Sequence, residues 1–482
     1  MTTLSLCMVV KDEEANLARC LKSVQPAVDE IIVVDTGSTD KTPEIAKQFG
    51  AKVYSYSWNG NFSEARNEAL KHASGDYIIW LDADECLRNQ DLKKLIQLKA
   101  EFPAEKNIAY AVKILNYHKR GIPDSAYQTR IFPHIPGVKF EGRIHEQVSF
   151  SLEKLGVSFQ PTNIKICHLG YLTKELWQAK IKRNLPFLQK ALTETESSKK
   201  WAIYFYLGMC YLNLGEEDLA HIHFAQALTP DCKKQNPYFY ITAGVHSAKI
   251  LEKTGESSQG IQLLLKLKEE FPKNDFILYH LGEAYFQIKN YEQALKVLSQ
   301  CRPERINLGT IPFTLSEYQF KYHYYMGLIY ETLGETTSAI SMYQKALEIR
   351  PHAIELVALL SSLLLFKANQ GEKAIYYLVK GIEFLEKKGR LEAQKEIYIG
   401  LCLMLAFILS QKCRIEECVF LAERLLKIIH LPVNRVLNNL EELIGIYQEI
   451  GKKLQSTNLI WAPLAFETAK QLGLLLEENP SH

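Results

Sequence analysis

Along the first 90 residues, short and almost wholly apolar runs alternate with amphipathic stretches. Leu4-Ser5-Leu6-Cys7-Met8-Val9-Val10 reads as a strand. Lys11-Asp12-Glu13-Glu14 is expected to open a helix, because Leu17, Cys20, Leu21 and Val24 follow the 3.6-residue period. Acidic residues in its first turn suit the positive end of the helix dipole. Glu30-Ile31-Ile32-Val33-Val34-Asp35 is a second strand, apolar as a strand covered on both faces should be. A polar turn, Thr36-Gly37-Ser38-Thr39-Asp40, leads to a helix with Pro43 in its first turn. Residues 52–56 read as a third strand, and Ser63 is predicted to cap the next helix. Tyr77-Ile78-Ile79-Trp80-Leu81 is a fourth, buried strand. Strand–helix alternation of this kind predicts a parallel sheet with right-handed crossovers.

Beyond the fourth strand the pattern loosens. Residues 92–98 are helical in period, and residues 109–115 and 128–133 read as strands. Pro123, Pro133, Pro136 and Gly137 break up what lies between. Loops here are expected to shape a binding site, with Tyr117, His118, Lys119 and Arg120 either lining it or forming a surface loop.

After about residue 172 strand signals vanish. Segments 201–230, 276–300 and 320–351 repeat one pattern of small residues, aromatics and a closing proline. The first carries Leu207-Gly208, Tyr211, Leu214-Gly215, Ala220, Phe224, Ala227 and Pro230; the third carries Met326-Gly327, Tyr330, Leu333-Gly334, Ala339, Tyr343, Ala346 and Pro351. This is the tetratricopeptide signature, in which helix pairs stack and bury a continuous core. A degenerate copy occupies residues 242–272, and less regular helical pairs run from about 354 to 470. Residues 477–482 are polar and expected to fray. The fold class expected is therefore an α/β domain over residues 1–190 and an all-α repeat domain over 191–482.

Composition narrows the function classes. A net charge of +2 over 482 residues gives no case for a nucleic-acid partner. The ten cysteines are scattered with no Cys-x-x-Cys pair, which points to reduced thiols and a cytoplasmic location. The N-terminal apolar run is short, with no basic region before it, so no signal peptide is expected. The longest uncharged apolar stretch runs over 14 residues, 397–410, too short to span a bilayer, and reads as a buried helix.

Candidate chemistry gathers at Trp80-Leu81-Asp82-Ala83-Asp84-Glu85. Ligands of open α/β sheets sit at the carboxyl ends of strands. On an extended segment Asp82 and Asp84 would point to one side, a pairing that suits a hard divalent cation bridging phosphates. A solvated acidic turn is the alternative reading of the same residues. Asp35 ends the second strand on the same edge and is placed to bind a nucleotide's base or ribose, or else simply caps its own turn. Neither Gly-x-Gly-x-x-Gly nor a Gly-Lys-Ser loop is present, so a dinucleotide site and a P-loop are not supported. Arg66, Lys182 and Arg183 are candidate phosphate ligands, a role that Arg's bidentate fork suits, and the two on the later helix could equally belong to a solvated face.

Four motifs occur in one order: Met8-Val9-Val10-Lys11-Asp12-Glu13, the 30–40 segment, Phe62-Ser63-Glu64-Ala65-Arg66-Asn67, and Leu81-Asp82-Ala83-Asp84-Glu85. Together they resemble family 2 glycosyltransferases of the GT-A fold. Gln128-Thr129-Arg130-Ile131-Phe132-Pro133, Phe140-Glu141-Gly142-Arg143-Ile144-His145-Glu146 and His168-Leu169-Gly170-Tyr171 extend the match. These later motifs resemble the subgroup of SunS-type peptide S-glycosyltransferases that carry C-terminal tetratricopeptide repeats. Asp12 departs from the Asn more usual in the family.

The resemblance implies a hexosyl transfer from a nucleotide sugar, with UDP the expected nucleotide, by an inverting mechanism. It implies that Asp12, Glu13, Asp35, Arg66, Asp82 and Arg183 bind the donor. Asp84, with Asp82 and His168, would hold Mn²⁺ or Mg²⁺ in the manner of a DXD motif. Glu146 would be the base, with His145 the other candidate. The acceptor implied is a peptide or protein. The repeat groove would present it, pair two copies as a homodimer, or only cover the catalytic domain. Two other readings stay open here: a repeat adaptor whose first domain binds a nucleotide sugar without turnover, and a transferase for lipid-linked or lipopolysaccharide acceptors. The intact set of Asp35, Asp82, Asp84 and Glu146 favours the enzyme.

Overall fold

The computed structural model describes residues 2–117, 123–170, 174–389, 391–431, 440–457 and 459–478. The chain forms two compact units, Met1–Ile288 with Gln300–Leu315, and Lys289–Ser299 with Ser316–His482.

The first unit begins with β1 (Leu4–Val10), α1 (Leu17–Val24), β2 (Glu30–Asp35), α2 (Thr42–Gln48), β3 (Lys52–Ser55), α3 (Phe62–His72) and β4 (Tyr77–Trp80). It continues through β5 (Glu85–Leu87), α4 (Asn89–Ala100), β6 (Ile108–Asn116), β7 (Asp124–Pro133), α5 (Ser149–Lys154) and β8 (Ser158–His168). The eight strands make one sheet in the order β3-β2-β1-β4-β7-β6-β8-β5. The first four are parallel, and β7 pairs antiparallel with both β4 and β6. β8 runs parallel to β6 and antiparallel to β5. The expected parallel sheet is thus only its first half. The second half is mixed, with β7 antiparallel to both of its neighbours and β5 antiparallel to β8.

Alternation along the strands sends Leu6, Met8, Val33 and Ile79 to one core, packed on Leu17, Leu21 and Leu95. Cys7, Ile32, Val34, Ile78 and Trp80 go to the opposite face, with Ala69, Leu70, Phe132 and Phe140. Both faces of β1, β2 and β4 are therefore dry, which explains why their sequences are nearly continuous apolar runs.

Three local expectations change. Residues 11–14 do not open α1, which starts at Leu17. Asp12 instead takes a positive φ of 52°, and Glu13 and Glu14 donate backbone N–H groups to Thr42 Oγ1 and Asp40 Oδ2. The cap of α3 is Asn61, whose side chain accepts from Glu64 N, while Ser63 donates to the Gly142 carbonyl. Residues 82–84 form a turn closed by a Glu85 N–H to Asp82 carbonyl bond of 3.0 Å, not an extended segment.

Helices follow: α6 (Lys174–Glu194), α7 (Lys200–Leu214), α8 (Glu217–Ala227), α9 (Pro230–Gln235), α10 (Pro237–Lys253), α11 (Ser257–Glu270) and α12 (Asp275–Gln287) in the first unit. The second holds α13 (Tyr291–Leu298), α14 (Leu315–Thr332), α15 (Thr336–Ile349), α16 (Ile354–Phe366), α17 (Gly371–Lys387), α18 (Lys395–Gln411), α19 (Ile415–Ile428), α20 (Leu440–Ser456) and α21 (Ala462–Glu478). The repeat segments fall on helix pairs as their pattern predicts. Gly327 shows why: a Cβ there would strike the Tyr343 ring of the paired helix. The apolar stretch at 397–410 is the buried α18, and among the described residues no helix is long and apolar enough to cross a membrane. His118, Lys119 and Arg120, and residues 479–482 of the expected frayed end, lie outside the described residues.

Candidate functional site

The carboxyl end of β4 delivers Asp82 and Asp84 to a cavity of about 600 Å³ in the first unit. Glu13, Arg66, Asp82, Asp84, His145, Glu146, His168 and Arg183 all line it. Asp12 and Asp35 do not. Asp35 stands at the end of β2, where its carboxylate accepts from Gly37 N, Ser38 N and Ser38 Oγ of its own turn. Asp12 accepts from Thr39 N at 2.7 Å and so clamps that turn to the end of β1. Thr36, from the same turn, reaches the cavity wall.

Arg66 is the hub. It projects from α3 and is 8% exposed. Nη2 donates to Asp82 Oδ1 at 2.9 Å and Nε donates to Glu146 Oε1 at 2.5 Å. Its Cζ lies 4.0 Å from the Trp80 ring centroid, and that of Arg130 lies 3.5 Å from the same ring. Cation–π contact of this kind is strongest where water is excluded. Burial would lower the Arg66 pKa, but Asp82 and Glu146 outweigh it and raise it above the ordinary value. The enclosing protein likewise pushes the Asp82 carboxyl up, and Arg66 and Arg130 more than offset this, holding it below the usual carboxylate range. Arg130 in turn binds buried Glu85 at 2.7 Å, whose other oxygen accepts from Asp82 N. The bend after Trp80 is therefore braced by two arginines from different segments.

Asp84 faces the other way. His168, at the end of β8, pairs in register with Glu85 and brings Nε2 to 3.4 Å from Asp84 Oδ1. Lys180 of α6 brings Nζ to 2.6 Å from Asp84 Oδ2. Burial raises the Asp84 pKa, yet His168 and Lys180 together hold it well below the ordinary value. Asn116 donates its amide N–H to Asp124 Oδ1 at 2.6 Å, so its oxygen faces His168 Nδ1 at 2.8 Å. That network directs Nδ1–H of His168 at Asn116 and turns Nε2 toward Asp84. Gly170 completes the pocket, because a Cβ there would collide with Asp84, Lys180 and His168. Among the described residues no three His, Cys, Asp or Glu side chains converge into a complete metal cage. A carboxylate and an oriented imidazole do fit a hard cation that takes its remaining ligands from a bound anion.

Glu146 follows His145, whose backbone has a φ of 55° and whose ring stacks on Tyr206 of α7 at a centroid distance of 3.7 Å. Trp58, Phe62 and Phe187 form an edge-to-face cluster at the cavity wall. Lys180, Arg183, Asn184 and Phe187 line the cavity at i, i+3, i+4 and i+7 of α6, while Lys182 lies on the exposed side. Lys180, Asn116 and Tyr206 are not among the sequence candidates, and Trp80 and Arg130 stand there only inside motifs, without a role. For Lys180 the helical spacing to Arg183 was the available signal.

Comparison with known proteins agrees with this layout. Residues 5–130 match the family model for glycosyl transferase family 2, and residues 277–302 and 320–352 match tetratricopeptide repeat models. A TPR repeat-containing protein of Synechococcus elongatus is 39% identical over 185 residues, covering 37% of this chain and 45% of that protein. The SPbeta prophage-derived glycosyltransferase SunS of Bacillus subtilis is 27% identical over 234 residues, 46% of this chain and 52% of SunS. The chain thus spans about half the length of the curated relatives it matches. A crystal structure of MamA aligns with a TM-score of 0.31 at 22% identity, covering 40% of this chain and 95% of that one. The chain carries an N-terminal family 2 glycosyltransferase domain of GT-A-like fold, followed by tetratricopeptide repeats.

Proposed function

We propose that the protein moves a hexose from a nucleotide sugar, of the UDP type, to a peptide or protein acceptor with inversion at the anomeric carbon. The observation that supports this most is the joining of Asp82, Asp84, Arg66, Glu146 and His168 around one cavity at the carboxyl edge of the sheet. In this reading residues 1–190 form the catalytic domain and 191–482 the repeat domain. Asp35 and the 36–40 turn shape the nucleotide end, and Asp12 holds that turn. Glu13 and Asp82 border the ribose and diphosphate. Arg66 fixes both Asp82 and Glu146, and Arg183 offers a guanidinium to the donor's phosphates.

Asp84 and His168 would hold Mn²⁺ or Mg²⁺, with Asp82 beside them, and that cation supplies charge neutralisation at the departing diphosphate. Glu146 takes the acceptor's proton as the acceptor attacks from the face opposite the leaving group. His145, stacked on Tyr206, orients the loop that carries Glu146. A cytoplasmic location belongs to the same reading, supported by ten cysteines that all remain free thiols. The repeats present the acceptor or pair two copies of the chain.

Glu146→Gln tests the mechanism. With a panel of nucleotide sugars and peptide acceptors, the variant should keep donor binding within a few-fold and lose about 10²–10⁴ of the transfer rate. Retention of most of the rate in a folded variant would remove Glu146 as the base. Absence of nucleoside diphosphate release by the wild type from every donor would remove the transferase reading itself.

A further inference from the structure

Resting on the transferase reading, we propose that Lys180 is a donor-binding residue that exchanges partners. It pairs with Asp84 while the site holds no donor and turns to a diphosphate oxygen when a divalent cation takes Asp84.

The observations lie on the three sides of one small space. Asp84 is 8% exposed and is shared by Lys180 Nζ at 2.6 Å and His168 Nε2 at 3.4 Å. Gly170 leaves open the ground between these three groups, where any side chain would intrude. The Lys180 side chain is 30% exposed and lines the cavity. Three residues on, Arg183 lines the same cavity, and α6 therefore turns two cations toward it.

The physical argument is one of charge. A hard cation and an ammonium compete for the same carboxylate, and each is repelled by the other at contact distance. A cation arriving alone must therefore displace Lys180 with nothing to compensate the ammonium. A cation arriving with a diphosphate brings the compensation with it. The ammonium, a compact charge on a four-carbon stem, can swing through a few ångströms to a phosphate oxygen. Lys180 would then disfavour the bare cation and favour the cation–diphosphate complex, which makes the two bind together. A lysine present only to neutralise buried Asp84 would do the first and not the second.

The test uses the full chain with probes that need no knowledge of the sugar or base. Mn²⁺ binding is followed by electron paramagnetic resonance, alone and with inorganic pyrophosphate, for wild type, Lys180→Ala, Lys180→Gln and Lys180→Arg. The expected result is a crossing. Lys180→Ala and Lys180→Gln should bind Mn²⁺ alone several-fold more tightly than wild type, because the competing cation is gone. They should bind Mn²⁺–pyrophosphate about 10- to 100-fold more weakly, the loss expected for one charge-assisted hydrogen bond. Lys180→Arg should retain most of the pyrophosphate affinity. Should one neutral variant fail to fold by circular dichroism, the other serves. Neutral variants that bind Mn²⁺–pyrophosphate as tightly as wild type overturn this inference and leave the transferase reading standing. A wild type that takes up Mn²⁺ neither alone nor with pyrophosphate overturns both.

Discussion

Arg66 joins two carboxylates, Asp82 16 residues further along the chain and Glu146 80 residues further, while its flat face rests on Trp80. The Arg66–Glu146 pair is buried, while the Asp82 side chain is partly exposed; breaking a buried pair from one side is costly, because the partner stays behind as an uncompensated charge. Arg66→Ala is expected to lower stability by about 3–5 kcal/mol in denaturant unfolding, and Arg66→Lys to recover only part of that, since an ammonium lacks the fork that meets both carboxylates. Loss below about 1 kcal/mol would mean that Asp82 and Glu146 find other partners. This residue was visible in sequence as part of an ordered motif, and so were Asp82, Asp84 and Glu146. Lys180 was not, because a lysine beside Lys182 and Arg183 looks like any solvated helix face until the partner strand is in place. Of the two readings open for residues 82–84, extended segment or turn, the local sequence could not choose the turn for a similar reason. Its bend is set by Glu85 and Arg130, which meet only once β5 and β7 are both in the sheet.

At the scale of elements, β1, β2 and β4 were legible because each is buried on both faces and so carries a nearly unbroken apolar run. β5 and β8 were not, because β5 has three residues and the first half of β8, from Ser158 to Asn163, is mostly exposed and polar. What ties the parallel half together is partly polar as well. Glu30, opening β2, accepts from Ser5 Oγ at 2.7 Å, Lys52 Nζ at 2.8 Å, and Ser74 N at 2.8 Å. It thereby links β1, β2, β3 and the turn before β4. Burial raises its pKa, but the bonds from Lys52, Ser74 and Ser5 outweigh this and bring it down to about 2 from 4.5. A depressed carboxyl stabilises the fold fully above its unfolded pKa and loses that contribution as pH falls toward the folded one. Wild type should therefore shed stability between about pH 5 and pH 2 that Glu30→Gln never had, roughly 1–2 kcal/mol after allowing for screening of the exposed Lys52 partner. Parallel acid-unfolding curves for the two proteins would assign the acid limb to other groups.

Across the whole molecule, the chain couples a sheet-edge active-site candidate to stacked helix pairs. The repeat half was readable because its spacing rule is local: a small residue on one helix faces an aromatic on the next. Gly327 against Tyr343 is one instance, with no room for even a methyl group. Gly327→Val is expected to destabilise by about 1–3 kcal/mol through overpacking, seen as a lower denaturation midpoint. An unchanged midpoint would show that Tyr343 can move aside without cost. The first helix pair after α6 also reaches the candidate site, since Tyr206 of α7 stacks on His145. No local rule foretold that contact, which depends on the left-handed backbone of His145.

The central claim is that the cavity at the end of β4 turns over a nucleotide sugar with a divalent cation on Asp84. The most direct measurement is release of nucleoside diphosphate from a panel of nucleotide sugars, with Mn²⁺, Mg²⁺ or EDTA, for wild type and Asp84→Asn. Turnover of one donor that is abolished both by EDTA and by Asp84→Asn is the result expected. Turnover that survives both, or tight donor binding with no turnover in the presence of peptide acceptors, would contradict it.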